Sequence, residues 1–138
     1  MGGWVALPAV LLLGSRYGRY TKDGRMSAHP PSSIPFLALG AWILAVGWFG
    51  FNVGSNLEAS TWIGVVTINT FVATAAAGLS WLIVEWLAKG KPSLLGLASG
   101  CIAGLVAVTP ASGYSGPMGA IVLGLVAGVV CFFFCTAV

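Results

Sequence analysis

Trp48, Phe51 and Ser55 form the one constellation in this chain with a recognisable chemistry. Their spacing, i, i+3, i+7, puts them on one face of a helix. Over roughly 10 Å of rise that face offers an indole, a phenyl ring and a hydroxyl. Ring faces attract a small cation, and a hydroxyl oxygen can hold it. Gly40, Gly47, Gly50 and Gly54 form a stripe beside the aromatics, where a neighbouring helix can approach closely. The same residues also fit a well-packed membrane helix with ordinary aromatics.

Polar residues inside apolar sequence are the next candidates, because each needs a partner or a cavity in hydrocarbon. Asn52 sits among the aromatics, and Thr67, Thr70 and Thr74 share one helical face with Asn69 close by. Asn52, Asn69 and Thr70 are the candidates for supporting a pore. The competing reading is hydrogen bonding between helices for Asn52, and for the threonines hydroxyl bonds returned to their own helix as helix–helix glue. Glu85 is within reach of Lys89 at i+4, the spacing of an interfacial ion pair. His29, the only histidine, lies in a loop before Pro30-Pro31 and is given no role. Cys131 and Cys135, at i and i+4, read as small packing residues rather than a redox pair. No Ser/His/Asp set, central carboxylate pair, nucleotide-binding glycine loop or metal-ligand cluster is legible, so an enzyme is a weak reading and no cofactor or metal is expected.

The elements that carry these residues follow from composition. Of 138 residues 58% are hydrophobic and only 7% charged, with a mean hydropathy of +0.97. Soluble domains carry about a quarter charged residues, so this chain reads as an all-α, polytopic helical membrane protein in a lipid bilayer. The net charge of +3 is not a nucleic-acid signal. The six basic residues cluster in two short loops, Arg16 to Arg25 and Lys89 to Lys91, the pattern of cytoplasmic loops under the positive-inside rule.

Five apolar segments are expected, at about 2–14, 34–55, 60–87, 92–109 and 117–138. The first falls short of the roughly 20 residues a crossing needs and reads as part of a helix. Pro35 suits a first turn. The breaks are Asn56-Leu57-Glu58, Gly90-Lys91-Pro92 and the run from Thr109 to Pro117. Two crossings separate the basic loops, which puts 15–32 and 88–92 on the cytoplasmic side and Glu58 outside. Gly96, Gly100 and Gly104, and again Gly124 and Gly128, repeat every four residues and mark close helix packing.

Four stretches carry a family resemblance: Gly47-Trp48-Phe49-Gly50-Phe51-Asn52-Val53-Gly54-Ser55, Asn69-Thr70-Phe71-Val72-Ala73-Thr74-Ala75-Ala76-Ala77, Gly90-Lys91-Pro92-Ser93-Leu94-Leu95-Gly96, and Ala103 through Tyr114. The chain resembles the ammonium transporter (Amt/Mep/Rh) family, closest to its Amt branch. The resemblance implies part of a fold of about eleven transmembrane helices, here the end of the fifth through the ninth, in a protein that assembles as a homotrimer in the plasma (cell inner) membrane. It implies ammonium or ammonia as substrate and admits a cytosolic regulatory protein as partner. It matches Phe51 to one of two stacked phenylalanines closing the pore, Ser55 to a hydroxyl of the outer vestibule, and Trp48 to a tryptophan of the apolar conduit. The family's paired histidines fall outside this chain, upstream of Gly2 and beyond Val138, and His29 is no substitute. The expected function is ammonium transport, with this chain supplying part of the pore. The alternatives are a small membrane interaction or regulatory protein, non-conducting by itself, and part of an ammonium sensor.

Overall fold

A computed structural model describes residues 2–20, 23–27 and 30–136. Lys22 and His29 of the basic loop, and the last two residues of the fifth apolar segment, lie outside the described residues. The chain divides into two units, one ending at Ser32 and the other starting at Ser33.

The first unit begins with α1, Gly2–Leu13, an uncharged helix whose side chains are all exposed within this chain. Gly14 ends it in the left-handed region at φ 71, with its N–H returned to the Val10 carbonyl at 3.0 Å. A small hairpin follows. Tyr20 pairs with Met26 in an antiparallel bridge, and Ser27 N–H donates to the Arg19 carbonyl at 2.9 Å.

The second unit holds four helices: α2 (Ile34–Gly54), α3 (Trp62–Lys89), α4 (Leu94–Val108) and α5 (Pro117–Thr136). Serines start two of them. The Ser33 hydroxyl accepts from Phe36 N–H at 3.4 Å, ahead of Pro35 in the first turn of α2. The Ser93 hydroxyl accepts from Gly96 N–H at 2.9 Å at the start of α4. Each satisfies a backbone donor that the first helical turn leaves open. Gly90, at φ 75, ends α3 one residue past Lys89, so that helix runs further than the expected segment. Its 28 residues rise about 42 Å, more than the roughly 30 Å hydrocarbon core, which calls for tilt. Helices α2, α3 and α5 are long and apolar enough to cross a membrane; α1 and α4 are shorter apolar helices.

The core is built on α3. Its buried residues run Val66, Asn69, Thr70, Ala73, Ala76, Ala77, Gly78, Ser80, Trp81 and Glu85, a stripe at helical period. The glycine rows of α4 and α5 close on that stripe from two sides. A Cβ at Gly104 would sit 2.6 Å from the Ala73 carbonyl oxygen, and one at Gly124 would collide with the same oxygen. Ala77 stands in the same relation to Gly100 and Gly128. Lipid tails are as apolar as leucine, so this close backbone approach and its van der Waals contact is what membrane helices have to hold them together. By contrast, Gly40, Gly47, Gly50 and Gly54 of α2 have nothing within 4 Å of where a Cβ would be. Among the described residues of the second unit nothing meets that stripe, although its spacing is the same kind of signal.

Candidate functional site: the aromatic face of the second helix

Trp48 and Phe51 stand one turn apart on α2 with ring centroids 5.8 Å apart, tilted by 53°. Trp48 is half-buried because its indole reaches across to the residue that caps the end of α4. Its Nε1–H donates to Thr109 Oγ at 2.8 Å, and the Thr109 hydroxyl in turn donates to the Leu105 carbonyl at 2.7 Å. A buried indole N–H needs such a partner, and this one fixes the ring. Phe51 remains 59% exposed, so its ring face is open in this chain. Ser55, also exposed, donates its hydroxyl proton to the Phe51 carbonyl at 2.6 Å. That leaves its oxygen lone pairs as acceptors for an incoming donor.

One residue on, Asn52 is the only buried residue of α2. Its amide donates to Thr70 Oγ of α3 at 3.1 Å, and Thr70 donates to the Val66 carbonyl at 2.8 Å. Thr67 and Thr74 likewise bond back to the carbonyls of Ile63 and Thr70. Asn52 thus bonds to a neighbouring helix. Its Oδ1 has no hydrogen-bond partner among the described residues.

Asn69 acts on the other side of α3. Fully buried, it donates to the carbonyls of Ser112 and Ser115 at 2.8 and 2.6 Å. Trp62 donates to the Gly113 carbonyl at 2.9 Å. Together they pin the α4–α5 connection, and that connection begins at Thr109, the residue that holds Trp48. Ser112, whose hydroxyl donates to the Thr109 carbonyl at 3.3 Å, links the Trp48 and Asn69 contacts, while Asn52 and Thr70 form a separate pair, with Phe51 and Ser55 on the open side of α2. Thr109 was missed by sequence reasoning. The usable signals were an indole needing an acceptor and a threonine at a helix end.

An apolar cleft of about 270 Å³ lies elsewhere, between α2, α3 and α4, lined among others by Trp42, Ala45, Phe71, Leu97 and Cys101. Phe49 stacks on Phe71 at its edge, 6.3 Å between centroids. None of Trp48, Phe51, Asn52 and Ser55 lines it. At the far end of α3, Glu85 is buried and does more than pair with Lys89, 3.5 Å away. Its carboxylate also accepts from the N–H and the hydroxyl of Ser93, at 3.1 and 3.0 Å.

The sequence profile of the Ammonium Transporter Family matches residues 1–138. The chain belongs to the ammonium transporter family. That is a family of transporters, not of enzymes. The chain is 45% identical over 131 residues to an ammonium transporter of Aquifex aeolicus, covering 95% of this chain and 29% of that protein. It is 46% identical to the ammonium transporter Amt1 of Archaeoglobus fulgidus, covering 94% of this chain and 32% of the relative. Among solved structures it is similar to a sensor Amt protein, with 37% identity and a TM-score of 0.92 over 96% of this chain and 33% of that one. It is also similar to Candida albicans Mep2, at 36% identity and a TM-score of 0.85 over 95% of this chain and 29% of that one. The chain thus spans about three tenths of the length of the curated relatives it matches. Family and apolar helices together make it an all-α integral membrane protein.

Proposed function

We propose that this chain supplies one wall of an ammonium conduction path, and that α2 carries the functional face. The observation that carries this reading is the Trp48–Phe51–Ser55 face, fixed by the Trp48–Thr109 bond in a chain of this family. An ammonium ion donates hydrogen bonds, and Ser55 keeps its lone pairs free to accept them. The neighbouring ring face adds cation–π attraction. A bare charge in an apolar pore is expensive, so loss of the proton lets a neutral molecule pass beside Phe51. The proton-handling histidines that the resemblance implies are expected outside residues 1–138, so this chain contributes part of the route. Asn52, Thr70 and Asn69 serve as its supports, holding α2 and the α4–α5 connection in register.

The setting belongs to the same proposal. The complete protein is a homotrimer in the plasma membrane, with the loops at 15–32 and 88–92 facing the cytoplasm, where a regulatory protein can reach them. The test uses the complete gene. Phe51→Ala and Ser55→Ala are each expected to change the rate or apparent affinity of methylammonium uptake in cells lacking other carriers. Unchanged uptake in both variants overturns the assignment of the face. Ammonium binding without flux in the unaltered protein favours a sensor instead.

A further inference from the structure

We propose that the hairpin after α1, residues 15–27, lies on the bilayer surface and binds anionic phospholipid headgroups. This rests on membership of a membrane-protein family and not on ammonium conduction. Residues 15–32 carry Arg16, Arg19, Lys22 and Arg25 against the single carboxylate of Asp23. The described residues of the hairpin are tied together by their own bonds. Arg19 N–H donates to the Arg16 carbonyl at 3.0 Å, and the Arg19 guanidinium donates to the Ser27 carbonyl at 3.4 Å and meets Met26 Sδ at 3.6 Å. Gly18 and Gly24 make its bends at φ 79 and 73, where a side chain would be strained.

Charge alone fits any acidic partner; the apolar surface narrows the choice. Tyr17 is fully exposed, and Tyr20 and Met26 are more than half exposed. Tyrosine concentrates at the level of lipid headgroups, where its ring is apolar and its hydroxyl is wet. The hairpin is held at that level by what precedes it. Leu11, Leu12 and Leu13, at least 74% exposed, end an uncharged helix, and the hairpin starts within two residues of Leu13. Its arginines therefore stand within a screening length, about 8 Å at physiological salt, of the membrane surface. There the negative potential of anionic lipids attracts basic juxtamembrane segments. An acidic polypeptide would answer the arginines but not the exposed tyrosines and methionine beside an apolar helix.

The experiment is hydrogen–deuterium exchange of the full chain in nanodiscs of phosphatidylcholine, with and without phosphatidylglycerol. Exchange at 15–27 is expected to slow several-fold with phosphatidylglycerol. The slowing is expected to vanish in high salt, where screening shortens to about 3 Å at 1 M. It is also expected to vanish in the triple variant R16Q/R19Q/R25Q and to persist in R16K/R19K/R25K. Equal exchange in the two nanodiscs overturns the proposal using the unaltered chain alone. Equal slowing by polyglutamate added to phosphatidylcholine nanodiscs also overturns it, in favour of an acidic protein.

Discussion

Two single residues set the geometry of this chain, and they differ in how visible they were. Trp48 was marked out by its spacing to Phe51 and Ser55, but its partner Thr109 lies 61 positions away and becomes its neighbour only through packing. Glu85 was read as half of a pair with Lys89. With the Lys89 side chain 54% exposed, that pair contributes about 0.3–0.5 kcal/mol. The larger role is across the α3–α4 turn, where its carboxylate takes the N–H and hydroxyl of Ser93, the residue that caps α4. A bond eight residues apart through an unpredictable turn has no periodic signature. Glu85→Ala is therefore expected to destabilise the helical unit by about 1–2 kcal/mol, more than loss of a surface pair. Glu85→Gln, which keeps an acceptor for Ser93 N–H, is expected to lose about half as much. Denaturant unfolding in detergent measures both, and a Glu85→Ala loss no greater than that of Lys89→Ala would refute the capping role.

At the scale of helices, spacing reveals a face but not what covers it. The breaks after Lys89 and Val108 were legible because Gly90-Lys91-Pro92 and the Thr109–Pro117 run are poor helix formers. The four-residue glycine rows were legible too, on α2 as on α4 and α5. What sequence could not tell is that Ala73 and Ala77 of α3 receive both the α4 and the α5 rows, while the α2 row meets nothing among the described residues of the second unit. The contrast predicts opposite responses to one methyl group. Gly104→Ala places a Cβ 2.6 Å from the Ala73 carbonyl oxygen, and backbone cannot rotate aside as a side chain can. It is expected to cost about 1–3 kcal/mol. Gly40→Ala fills open space and removes a poor helix former, so it is expected to be neutral or to stabilise by up to about 1 kcal/mol. Thermal unfolding of the two variants side by side checks the pair, and a similar loss in both would show the α2 row to be covered as well.

At the scale of the molecule, the order of helices and the charge of the loops argue one orientation. In a background without Cys101, Cys131 and Cys135, Glu58→Cys of the complete protein is expected to react with an impermeant maleimide on intact cells. Tyr17→Cys and Lys91→Cys, both exposed positions, are expected to react only after the membrane is opened. Labelling of all three on intact cells, or of the last two alone, would reverse the reading. The mounting of α2 has a mechanical side. Its one buried residue and its side-chain bonds to α3 and α4 fall in its C-terminal half, at Trp48 and Asn52, while residues of its N-terminal half line the apolar cleft. The polar anchors of α2 therefore stand near one end. From Asn52 back to Ile34 it extends about 27 Å, so any turn of about 10° about those anchors would carry the far end by about 5 Å and leave Phe51, beside them, nearly in place.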